Sequence, residues 1–144
     1  MEMKKFFLAI LVLAVFLAGG SIFPASAEEI PSGEMVTAYY FHGNFRCPTC
    51  KNMEQYSREV IENDFKALST SGQLTFKDVN VEQSGNEHFV NDYQLYTKSL
   101  VLSLVKDGKE VRSKNLDKIW DYARDKQRFQ DYVRNEIAAF LKES

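Results

Sequence analysis

Apolar and polar positions follow two different periods along this chain. Met35 to Phe41, MVTAYYF, is a run of β-branched and aromatic residues that reads as a buried strand. From Cys47 the period lengthens: Met53, Tyr56, Val60, Ile61, Phe65 and Leu68 recur three and four apart, predicting a helix that ends at Ser69 to Gly72. Leu74 to Glu82 alternates Leu74, Phe76, Val79 and Val81 imperfectly and predicts a second strand. A second helix is expected over SGNEHFVNDYQLY, with Phe89, Tyr93 and Tyr96 on one face and Ser84 as its cap. Leu100 to Val105 predicts a third strand, Lys106-Asp107-Gly108-Lys109 a hairpin turn, and Glu110 to Ser113 an antiparallel return. The tail from Leu116, with Ile119, Trp120, Ala123, Phe129, Tyr132, Val133, Ile137, Phe140 and Leu141, predicts an amphipathic helix, in one piece or two.

This order predicts an α/β domain over residues 35–144. The β-α-β opening requires parallel pairing through a right-handed crossover, and the hairpin adds an antiparallel edge. Residues 28–34, with Pro31 and Gly33, read as a short lead-in. Before them, Lys4 and Lys5 precede an apolar run from Phe6 to Ala18 and the small residues Ala25-Ser26-Ala27, the pattern of a secretory signal peptide cleaved after residue 27. The run is shorter than the roughly 20 residues a membrane-spanning helix needs. The expected location is therefore extracytoplasmic or periplasmic, with membrane contact only through an uncleaved leader.

Charge narrows the partners. The chain has 18 Lys and Arg against 20 Asp and Glu, a formal net charge of −2, scattered without a basic stripe that would attract nucleic acid. An exported chain meets an oxidising environment, yet this one has only two cysteines, three positions apart. Bridging so short a loop removes little chain entropy from the unfolded state, which makes a structural staple the weakest reason for the pair.

Placed between a strand and a helix, Cys47 falls at the N-cap, Pro48 at the first helical position and Cys50 at the third. Proline is favoured at that first position. The Cys47 sulfur then lies near the unpaired N–H groups of Thr49 and Cys50 and the positive end of the helix, which favours thiolate over thiol. Arg46 and Lys51 add positive charge on either side, and Pro48 and Thr49, between the two sulfurs, tune the thiolate. A nucleophilic thiolate with a second thiol one turn deeper is what disulfide exchange requires, Cys47 attacking and Cys50 resolving.

A C-x-x-C that opens a helix after the first strand of a β-α-β pattern resembles the thioredoxin-like superfamily, and YYFHGNFRCPTCKNME resembles small exported proteins of the nitrophenyl compound nitroreductase subunit ArsF family. The resemblance implies a thioredoxin-like three-layer fold, a mixed central sheet of about four strands flanked by helices, and a redox role for Cys47 and Cys50. It implies no cofactor beyond the Cys47–Cys50 disulfide; no flavin or nicotinamide fingerprint accompanies it. The family's tryptophan before the first cysteine is here Arg46, its cis-proline falls near Leu100, and its buried acid falls at about Phe41. Those departures alter the substrate surface and the proton acceptor for Cys50.

The expected function is an exported thiol-disulfide oxidoreductase, or a dithiol relay dedicated to one partner. Its partners are protein thiols or disulfides, a membrane thiol transporter among the candidates, and it is expected to act as a monomer. The alternative is a soft-metal carrier in which Cys47 and Cys50, with His42, hold copper(I) or arsenite. His42 has three readings: a packed polar residue at the strand end, a proton acceptor, or a ligand. His88 reads as a solvated helix residue, and Tyr39, Tyr40 and Phe41 as core.

Overall fold

The computed structural model describes residues 33–143; the leader 1–27 and most of the lead-in 28–34 lie outside the described residues. Four strands, β1 (Glu34–His42), β2 (Leu74–Asn80), β3 (Ser99–Lys106) and β4 (Lys109–Asn115), form one sheet in the order β2-β1-β3-β4. β1 pairs parallel with β2 and antiparallel with β3, and β3 pairs antiparallel with β4. This is the mixed four-stranded α/β sheet expected from the sequence. The parallel pair is joined through a helical crossover, α1 (Pro48–Glu59), and the β3–β4 turn places Asp107 and Gly108 at φ 51° and 76°. Two successive left-handed residues make the hairpin turn whose twist matches that of the strands.

Side-chain alternation divides the sheet into two unequal faces. Val36, Ala38 and Tyr40 of β1 with Leu100, Leu102 and Leu104 of β3 point to the face covered by α1 and by α4 (Lys126–Lys142), where Met53, Val60, Ile61, Phe129, Val133 and Ile137 complete the main core. The intervening residues Phe41 and Val101 point to the opposite face and meet Leu95, Phe89 and Tyr93. Asp125 caps α4, its Oδ1 accepting the Arg128 N–H at 3.1 Å. Among the described residues no helix is long and apolar enough to cross a membrane.

Two sequence expectations change, and a third, open between one piece and two, is decided. The helix read from Cys47 through Leu68 is interrupted: α1 passes into a π turn, Val60–Asp64, before α2 (Lys66–Ser71). The extra residue of that turn keeps both Phe65 and Leu68 against the core, so the apolar spacing alone does not reveal it. The second helix, α3, shrinks to His88–Asp92, because Gly85 at φ 93° and Gln94 at φ 52° break the helical path on either side. Ser84 does not cap it; the N-cap is Glu87, which makes no side-chain cap bond, and Tyr96 leaves the helical face to stand 94% exposed. The tail is in two pieces, a 3-10 turn at Asp117–Trp120 and α4, and Trp120 sits at the surface with its Nε1 donating to the Lys98 carbonyl at 2.9 Å.

Candidate active site

The site begins where β1 runs out. His42 is its last residue, and the turn Gly43–Arg46 carries the chain to α1. That turn is fastened to the end of β2: the Asn44 N–H donates to Glu82 Oε2 at 2.9 Å and Asn80 Nδ2 to Asn44 Oδ1 at 2.7 Å. A Cβ at position 43 would stand 2.5 Å from Glu82 Oε1, so a larger residue there would displace the carboxylate that holds the turn. Phe45 projects from the turn 75% exposed, with Lys98 Nζ 5.9 Å from its ring centroid.

Cys47 is the N-cap of α1, with extended backbone, and Pro48 is the first helical residue. Its Sγ accepts the Cys50 N–H at 3.1 Å, and the two cysteines form a disulfide. Cys47 is partly accessible, whereas Cys50 is only 1% exposed. The pair is therefore asymmetric. An incoming sulfur can reach Cys47, and when that disulfide opens, a thiolate on Cys47 would keep the helix-start N–H as its hydrogen-bond donor.

Beneath Cys50 lies Tyr40, whose hydroxyl donates to the Cys50 carbonyl at 2.8 Å. Burial pushes the Tyr40 phenol up to about 12 against the opposing pull of the Arg46 charge. This corrects the reading that put the family's buried acid at about Phe41. Residues alternate across a strand, so the side chain facing α1 is Tyr40, and Phe41 faces the other side among Leu95 and Val101.

Arg46 turns away from simple electrostatic support of Cys47. Its guanidinium meets the Glu54 carboxylate and donates from Nη1 to His42 Nε2 at 3.2 Å. His42, buried, places Nδ1 2.9 Å from the Gly43 carbonyl. That carbonyl can only accept and Arg46 can only donate, so in this arrangement Nδ1 donates and Nε2 accepts. Both ring nitrogens are thus engaged, which fits the packed-polar reading of His42. Among the described residues no three His, Cys, Asp or Glu gather into a group that could hold a metal ion. Glu54 also receives Arg58 at 3.4 Å, and Arg58 reaches Asp78 Oδ1 at 3.5 Å. Pro48 is exposed, Thr49 partly so, and Lys51 is exposed; His88 lies apart on α3, paired with Asp92 at 2.6 Å.

Sequence reasoning missed Tyr40 and Glu54 as parts of the site. Glu54 follows Cys50 by four residues and so shares its helical face, a spacing that could have pointed to it. Beside the turn, a cleft of about 200 Å³ is lined by Phe41, His42, Gly43, Leu95, Tyr96 and Lys98.

No protein-family model matches the chain, and no curated protein matches it. Among solved structures it is similar to a thioredoxin from Thermus thermophilus, at 17% identity and TM-score 0.41, over 72% of this chain and 74% of that one. It is also similar to Trxlp from Edwardsiella tarda EIB202, at 22% identity and TM-score 0.35, over 61% of this chain and 74% of that one.

Proposed function

We propose that this chain is an exported thiol-disulfide oxidoreductase in which Cys47 attacks and Cys50 resolves. The observation that carries the reading is the asymmetry of the pair: Cys47 is partly accessible with its sulfur on the Cys50 N–H, and Cys50 is buried. In the reducing direction the Cys47 thiolate forms a bond to one sulfur of a substrate disulfide, and the other sulfur departs with the electron pair of the broken bond and takes up a proton. Cys50, as thiolate, then forms its bond to Cys47, and the second substrate sulfur leaves as a thiol. Two electrons pass from the pair to the substrate; the reverse sequence oxidises a dithiol. The cysteines themselves are the redox group.

The leader with Lys4, Lys5 and the Ala25-Ser26-Ala27 site supports export, where the partners are protein thiols or disulfides and a membrane thiol transporter supplies or removes electrons. The stretch YYFHGNFRCPTCKNME supports kinship with the small exported ArsF-family proteins. The test is capture in cells. With its own leader and Cys50→Ser, the chain should accumulate mixed disulfides through Cys47 that appear in the exported fraction and dissolve on reduction. Equal capture by Cys47→Ser would reverse the two roles, and capture by neither would sink the proposal.

A further inference from the structure

Among the described residues, Tyr40, His42, Glu54 and Asp78 beside the cysteine pair each have a partner. Tyr40 donates its hydroxyl hydrogen to the Cys50 carbonyl, and His42 donates from Nδ1 and accepts from Arg46 at Nε2. Glu54 lies between Arg46 and Arg58, and Asp78 faces Arg58 and, at 4.0 Å, His42. The Glu54 carboxylate is held between two guanidinium groups, and the His42 Nε2 lone pair is turned to Arg46. Tyr40 stays protonated wherever thiols ionise, and is a donor there. Cys50, meanwhile, is 1% exposed, and burial favours a neutral thiol over a thiolate.

We infer that Cys50 resolves without a side-chain base, so that loss of its proton to water limits turnover, and that Tyr40 is a positioning residue holding the buried cysteine beneath Cys47. The inference rests on the disulfide-exchange reading above and concerns its second step. In the mixed disulfide the Cys50 thiol gives its proton to water. The electron pair left on its sulfur forms the bond to Cys47 Sγ, and the bond from Cys47 to the substrate sulfur breaks. The substrate leaves with that bond's electrons and is protonated by water. Cys47 ionises readily at the helix start and Cys50 does not, so the covalent complex on Cys47 accumulates before it resolves. Tyr40 acts through the backbone: it ties the first turn of α1 to β1 at the resolving cysteine itself.

Rapid-quench mass spectrometry on the reduced chain mixed with one equivalent of oxidised glutathione separates the two steps. Between about pH 6 and about pH 9, glutathionylated Cys47 should build up and then decay in a slower phase that accelerates about tenfold per pH unit, as ionisation of a high-pKa thiol requires. In Tyr40→Phe the first phase should keep its rate while the second slows by about tenfold or more. A second phase that is fast and flat with pH would overturn the inference while leaving the exchange reading intact, as would Tyr40→Phe resolving at the wild-type rate or slowing both phases alike. If neither the wild-type chain nor Cys50→Ser forms any mixed disulfide, the exchange reading itself fails. The pH slope is read on the wild-type chain, so it stands however well Tyr40→Phe folds.

Discussion

A chain carrying Cys47→Ser is expected to catalyse no disulfide exchange above the rate of the buffer thiol, whereas Cys50→Ser keeps the first attack and loses only release. The two substitutions remove chemically identical atoms, so the difference comes from their surroundings. Cys47 is partly accessible and has the Cys50 N–H aimed at its Sγ. Cys50 is 1% exposed, with its carbonyl tied to Tyr40, and cannot take over as the attacking thiol without unwinding the first turn of α1. Serine at position 47 still caps the helix, since a hydroxyl oxygen accepts the same N–H, so the loss of activity comes without loss of fold. The measurement is the initial rate of reduction of a protein disulfide by dithiothreitol with each variant. Substantial activity in Cys47→Ser would show that Cys50 is the nucleophile.

Most of the frame that presents these sulfurs is legible in the sequence. The strands declare themselves by apolar content, Asp107-Gly108 by its turn chemistry, and CPTC by proline at the first helical position. What escaped depends on phase and on local backbone. Which of Tyr40 and Phe41 faces the cysteines is decided by strand parity, and counting back across the glycine-containing turn from Cys47 loses that parity. The short α3 is set by Gly85 and Gln94 in left-handed conformations, while the periodic Phe89 and Tyr93 still find the core and suggest a longer helix. The engagement of Arg46 with His42 and Glu54 joins β1, the turn and α1, a contact that no single segment encodes.

The second large effect is on stability. Phe129→Ala should cost about 3–5 kcal/mol, the range for deleting a large buried aromatic ring and leaving its cavity. Phe129 is completely buried and meets the Tyr56 ring edge-on at 5.7 Å between centroids. It lies where α4 packs against the helix that carries the cysteines. Stability of a small domain is about 5–15 kcal/mol, so one such loss removes a large share of it. In urea the unfolding midpoint should fall sharply with the slope unchanged, because the same surface is exposed on unfolding. A midpoint within error of the wild type would mean that α4 contributes far less to the core than its buried residues indicate.

If the start of α1 activates Cys47, titration of its thiolate will show it. In the reduced Cys50→Ser chain Cys47 is the only thiol, so the rise of thiolate absorbance with pH belongs to it alone. An apparent pKa below the free-cysteine value of about 8.5 is expected. A midpoint at or above that value would contradict it.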